Sequence, residues 1–163
     1  MIVLIPKENS KNEPRVSATP DTVKDLIKSG LTVHIESGAG TESFKSDDDY
    51  KQAGGVIIDS SKDIYSNVDI VLKVLAPSSE EIESLKDEST VISFCQTTRE
   101  LDYVKALKEK SLTGFSMHLI PRTTLAQKMD ALSSQANISG YKSVLMAANR
   151  LGVYMPLLMT AAG

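Results

Sequence analysis

Arg122, Gln127 and Asp130 place a cation, an amide and a carboxylate within nine positions of sequence. Such a set can hold a polar ligand edge-on, because the amide both donates and accepts while the charged pair fixes orientation. The three lie in residues 120–141, IPRTTLAQKMDALSSQANISGY, which follow an apolar run at 112–115 and lead into a long helical pattern. A helix N-terminus with ordinary surface polar residues would look the same, and spacing alone favours that plainer account. Location favours the sharper one, since ligands gather at the carboxyl ends of strands in open α/β sheets.

Other residues offer weaker chemistry. Arg15 lies directly after the first apolar run and Lys73 closes the fourth, so both would stand at the carboxyl edge of a parallel sheet. A cationic pair there suits an anionic ligand, or is neutralised by Glu8, Glu13 or Glu36. A lysine ending a buried strand needs some partner, because an unpaired buried charge is costly. Gly38-Ala39-Gly40, with Asp59 about twenty residues on, approaches the dinucleotide fingerprint. However, position 43 is Ser and no helix signal opens at the glycines, so a glycine-rich turn is the better reading. His34 reads as structural or solvated. His118 has no Asp, Cys or second His spaced for a metal or a triad, so no metal site is expected. Cys95 lies on an apolar strand and reads as core; Gln96 is polar at that strand's end.

The elements that would position these residues follow from periodicity. Short runs rich in Val and Ile at 2–5, 32–36, 56–58, 70–74, 90–94 and 112–116 alternate with helix signals. Thr19 caps a helix with Pro20 in its first turn, ending before Gly30. Ser46 heads a short acidic helix that closes at Gly54. Ser78 and Glu81 form a capping box opening a helix to about Leu85. Leu101, Val104 and Leu107 stripe a helix over 100–110. This alternation predicts a three-layer α/β/α, Rossmann-like (flavodoxin-like) domain with a mostly parallel sheet. Residues 133–151 predict a last helix of roughly 28 Å, long enough to outrun the sheet. It carries small residues at Ala136, Gly140, Ser143 and Ala147, which suits self-association. The expected organisation is a domain over 1–132, then a long helix and linker over 133–163.

Composition sets the outer bounds. A chain of 163 residues is one domain by length. Its net charge of −3, with 18 basic and 21 acidic residues well mixed, offers no basic stripe and argues against nucleic acid. One cysteine excludes an intrachain disulfide and points to a reducing compartment. The opening MIVLIPKE does not read as a signal peptide, and no run approaches the ~20 apolar residues of a membrane span. The apolar LLMTAAG at the end reads as a segment that continues into something else.

Several stretches taken together resemble the N-terminal domain of the alanine dehydrogenase and proton-translocating NAD(P) transhydrogenase family. They are IPKE…NEPRVSATP, ESGAG, the QAGG turn, DIVLKVLAP, and PRTTLAQKMDALSSQANISGY with MTAAG. Their order and spacing are closer to the transhydrogenase alpha subunit. The dehydrogenases carry a catalytic histidine where Gln96 stands, and glutamine cannot serve as that acid/base. The resemblance implies that Arg122, Thr123, Thr124, Gln127, Asp130 and Ser133 contact the nicotinamide end of NAD(H), with Gln127 placing the ring for hydride transfer. It implies that Arg15 and Lys73 match residues that bind the substrate carboxylate in the dehydrogenases. At His118 the family would carry an acid, so that histidine is given no role.

The implied activity is hydride transfer between NADH and NADP+, the NADP(H) being held on a partner component. The implied assembly adds NADP-binding and membrane components, forms a homodimer, and sits cytoplasmically at the inner face of the bacterial inner membrane. This chain would then insert no segment into the membrane. Family members continue into a true G-x-G-x-x-G segment that carries most of the NAD affinity, so the isolated chain should bind dinucleotide weakly. Two rival readings are an alanine dehydrogenase-like oxidoreductase domain and a non-catalytic assembly module.

Overall fold

The computed structural model describes residues 1–60 and 62–153. Pro156, the LLMTAAG ending and the far part of the expected 133–163 segment lie outside them. Met1–Leu119 form one compact unit and the chain from Ile120 onward a second.

Six strands make the sheet of the first unit: β1 (Ile2–Ile5), β2 (Thr32–Glu36), β3 (Val56–Ile58), β4 (Ile70–Leu75), β5 (Thr90–Phe94) and β6 (Thr113–Ser116). All neighbours pair in parallel, in the order β3-β2-β1-β4-β5-β6. This is the Rossmann order, whose direction reverses between β1 and β4. The expected α/β architecture is the observed one. Strand β1 reads as an unbroken apolar run because both its faces are covered, and in β4 only Lys73 interrupts the pattern. Val3 and Ile5 of β1 point into a core with Val23, Val33, Ile35 and Tyr50, whereas Leu4 joins Val71, Ile82, Val91 and Leu107 on the opposite face. The alternation of one strand thus divides the core in two. Helices α1 (Pro20–Lys28) and α2 (Asp47–Gln52) serve the first face; α3 (Ser79–Ser84) and α4 (Leu101–Glu109) serve the second.

Local signals set the helix ends. The Thr19 hydroxyl accepts from Thr22 N–H at 3.3 Å, Pro20 opens α1, and Gly30 follows it at φ +87°. Both α2 and α3 begin with complete capping boxes, Ser46 with Asp49 and Ser78 with Glu81. The glycine pair after β2 forms a turn. Gly38 takes φ +75°, and a Cβ on Gly40 would stand 2.6 Å from a ring carbon of Tyr50. Close packing therefore accounts for these glycines without a bound phosphate.

In the second unit a 3-10 segment (Thr124–Met129) precedes α5 (Ala131–Arg150). Helix α5 starts two residues before the expected Ser133, because Asp130 is the cap and accepts the Ser133 N–H at 2.9 Å. Among the described residues no helix is long and apolar enough to cross a membrane, and no His, Cys, Asp and Glu cluster suits a metal ion.

Candidate functional site

The strongest site lies in the second unit. Thr123 is extended, and its carbonyl accepts the Ala126 N–H at 3.0 Å, starting the 3-10 segment. Ala126 is the buried residue of that turn, at 4% exposure. A 3-10 coil has three residues per turn, so positions three apart eclipse. Thr124, Gln127 and Asp130 therefore share one edge, and with Pro121, Arg122 and Thr123 they line a pocket of about 210 Å³. Sites for whole ligands run from roughly 300 to 1,000 Å³. A pocket of this size seats a single ring with its substituent.

The chemistry of the pocket is divided. Asp130 is spent on the helix cap: Ser133 donates its N–H at 2.9 Å and its hydroxyl at 2.6 Å to the two carboxylate oxygens. Those bonds hold its carboxyl below the usual range, with Arg122 adding a smaller attraction. Among the described residues no hydrogen bond engages the Gln127 amide or the Arg122 guanidinium. The pocket thus offers one uncommitted amide, one uncommitted cationic fork and two threonine hydroxyls, all exposed. A carboxamide or an anionic group fits such donors.

Arg15 and Lys73 both belong to the first unit, and each has an internal carboxylate. Arg15 grips Glu13 through Nε and Nη2, both at 2.6 Å, and lies 6.0 Å from the centre of the Phe94 ring. Its side chain is 43% exposed. That pairing holds the Glu13 carboxyl below its ordinary range. Lys73 differs, with a side chain only 3% exposed. Its ammonium donates to both Glu81 oxygens, at 2.8 and 3.0 Å, and lies 3.9 Å from Glu8. Tyr65 adds a hydroxyl bond to Glu81 at 2.6 Å. Burial pushes the Glu81 carboxyl up, but bonds from Lys73 and Tyr65 outweigh it and the net direction is down. Burial also pushes Glu8 up, and there the opposing groups do not prevail.

Of the cluster of Glu8, Lys73, Glu81 and Tyr65, the sequence offered Glu8 as a neutralising acid, as it offered Glu13 for Arg15, but not Glu81 or Tyr65. Glu81 reads in sequence as a helix cap, which it also is; its reach back to Lys73 depends on how α3 folds onto β4. A cavity of about 470 Å³ borders this cluster, lined by Asn9, Glu36, Tyr65, Ser78, Glu80 and Glu81 among others. It is larger than the loop pocket and sits at the carboxyl edge of the sheet. Its acidic lining would repel an anionic ligand.

The remaining candidates are structural in setting. Cys95 is buried and its thiol is pushed up to about 12 by burial, first of all. His118 packs its ring edge-on against Phe94 at 5.7 Å. Gln96 is exposed after β5, its N–H bonded to Glu100 at 3.3 Å.

The family model described as alanine dehydrogenase/PNT, N-terminal domain, matches residues 4–139. A curated relative, NAD(P) transhydrogenase subunit alpha of Cereibacter sphaeroides, is 40% identical over 97% of this chain, which spans 30% of that relative's length. A solved transhydrogenase from Sinorhizobium meliloti superposes with a TM-score of 0.91 at 39% identity, over all of this chain and 48% of that one. A solved L-alanine dehydrogenase superposes at 0.82 with 28% identity, over 91% of this chain and 40% of that one.

Proposed function

The chain belongs to the alanine dehydrogenase/PNT N-terminal domain family, and we propose that it is part of the NAD(H)-binding component of a proton-translocating NAD(P) transhydrogenase. Its contribution is one wall of the coenzyme cleft. The observation that carries this reading is the small pocket in which Gln127 and Arg122 stand beside Asp130, with neither side chain hydrogen-bonded among the described residues. Its volume matches a nicotinamide end; the rest of NAD(H) would rest on further chain, as expected of relatives more than twice as long. Hydride passes directly from NADH to NADP+ bound on a partner component, so no protein group need exchange a proton. The protein's task is to hold the donor and acceptor carbons within ~3.5 Å against the entropy of two free reactants.

In this reading Gln127 sets the placement of the ring. Arg122, with Thr123 and Thr124, orients the carboxamide side, while Asp130 and Ser133 fix the loop that presents them. Arg15 and Lys73 serve an anion-facing edge, Arg15 being the exposed one of the two. The assembly includes NADP-binding and membrane components and a second copy of this chain, at the cytoplasmic face of a bacterial inner membrane. Residues 1–132 act as the wall and 133–163 as the link to the remaining coenzyme-binding portion.

Gln127→Asn tests the assignment in the full-length subunit assembled with its partners. Single-turnover hydride transfer should slow by at least tenfold while NADH affinity changes less than threefold, since the amide is retained but withdrawn by one methylene (about 1.4 kcal/mol per tenfold). Equal rates for variant and wild type would remove Gln127 from the step.

A further inference from the structure

Residues 7–17 run from β1 to α1 over the carboxyl edge of the sheet, carry Arg15, and form no helix or strand. Carboxylates do much of the work of tying them down. Glu36, at the end of β2, accepts the Lys7 N–H at 2.8 Å. Glu81, on α3, accepts from the Asn9 amide at 3.1 Å. Glu8 reaches from the segment itself to accept the backbone N–H groups of Val74 at 2.6 Å and Leu75 at 3.4 Å. Two neutral ties add to these, Ser17 hydroxyl to Leu72 carbonyl and Ser43 hydroxyl to Pro14 carbonyl, each at 2.7 Å.

Glu8 and Glu81 compete for one buried cation. Lys73 sends its short bonds to Glu81 and stays 3.9 Å from Glu8, whose side chain is only 2% exposed. We propose that Glu8 is a proton-linked strap: taking up a proton as pH falls, it tightens the hold of the sheet edge on the segment that carries Arg15.

The groups facing Glu8 set the direction. Glu13 on its own segment repels the ionised form, while Arg15, which attracts it, is already paired with Glu13. From β4, Lys73 attracts it. Glu81 lies behind Lys73 on α3, and Tyr65, next to Glu81, feels the charge of both Glu8 and Glu36. Against Lys73 and two backbone N–H groups stands the cost of keeping an ion in a site almost closed to water. When Glu8 is protonated its carbonyl oxygen still accepts the Val74 N–H, and that cost disappears. When the segment lifts away, Glu8 enters water and returns to its ordinary value of 4.5. Burial raises the carboxyl of the strapped form above that value, with Lys73 the main opposing group. A raised group gives its full stabilisation below its ordinary value and loses it as pH rises through the raised one. The strap is therefore firm in mild acid and slackens toward alkaline pH.

The test is backbone amide exchange of residues 7–17 in the 163-residue chain, corrected for intrinsic rates, from roughly pH 5 to 8. A ¹³C titration of the Glu8 carboxyl accompanies it. Protection of 7–17 should rise as pH falls, by up to about tenfold for each unit by which Glu8 is raised. In Glu8→Gln, protection should be independent of pH. The proposal fails if protection falls on acidification, if the pH dependence persists in Glu8→Gln, or if the carboxyl titrates at or below 4.5. Should Glu8→Gln not fold, the carboxyl titration of the native chain decides by itself.

Discussion

Lys73 and Arg122 are both cations expected near a ligand, yet their surroundings give them opposite consequences on substitution. Lys73 is enclosed, 2.8 Å from Glu81, with Glu8 behind it. Lys73→Ala leaves two buried carboxylates without their cation and should destabilise the fold by about 3–5 kcal/mol, read as a fall in the urea midpoint. Replacing Lys73, Glu8 and Glu81 together by apolar residues of similar volume should cost much less, because no charge is then stranded. A single-variant loss below about 1 kcal/mol would mean that water reaches the cluster. Arg122 is exposed and, among the described residues, its guanidinium makes no hydrogen bond. Arg122→Lys should leave the urea midpoint unchanged. In the full-length subunit it should weaken NADH binding severalfold, since an ammonium cannot reproduce the planar fork of a guanidinium. Unaltered affinity, measured by calorimetry, would separate Arg122 from the coenzyme.

At the level of elements, Gly40 ties the turn after β2 to α2. Its Cβ would stand 2.6 Å from Tyr50 Cε2 and 2.8 Å from the Lys45 carbonyl, and Tyr50 is itself fixed by its hydroxyl bond to Ala18 at 2.8 Å. Gly40→Ala should therefore destabilise by about 1–3 kcal/mol through overpacking, visible in thermal unfolding; a neutral result would show that the turn can shift. The strands at 2–5, 32–36, 56–58 and 90–94 were legible to the residue because short runs dominated by Val and Ile stand between helix and turn signals. Capping boxes at Ser46 and Ser78 were legible because their partners lie three residues away. The 3-10 turns were not, since a turn of three to six residues shows no period. That limit reached the candidate site. The spacing of Arg122, Gln127 and Asp130 was visible, but not that a three-residue period would align Thr124, Gln127 and Asp130, nor that Asp130 would be the cap of α5. Of the acids about Lys73, Glu8 was offered by the sequence as a neutralising group, whereas Glu81, a cap residue of α3, becomes visible as a partner only once α3 is folded against β4.

At the scale of the whole molecule, the carboxylates displaced from their ordinary values among the described residues fall into two groups whose pH effects oppose one another. Glu13 and Glu81 are held below their ordinary value of 4.5, and Asp49, Asp69 and Asp130 below 3.8. Each was depressed on folding, so the unfolded chain binds more protons at these positions. Their stabilisation is present above the ordinary values and is lost as pH falls through the lowered ones. Glu8 runs the other way, since burial raises it above 4.5. It stabilises below that value and ceases to do so as pH rises through its folded one. Wild-type stability should therefore climb as pH is lowered from neutral into mild acid, reach a maximum, and then fall as the depressed carboxylates take up protons. Glu8→Gln should lose the rise on the alkaline side and keep the acid collapse, whereas Glu81→Gln should soften the collapse and also shrink the rise, since Lys73 is then free to hold Glu8 ionised. Urea midpoints taken across the range for all three chains distinguish these contributions. Parallel profiles for wild type and Glu8→Gln would mean that the Glu8 proton has no thermodynamic link to folding.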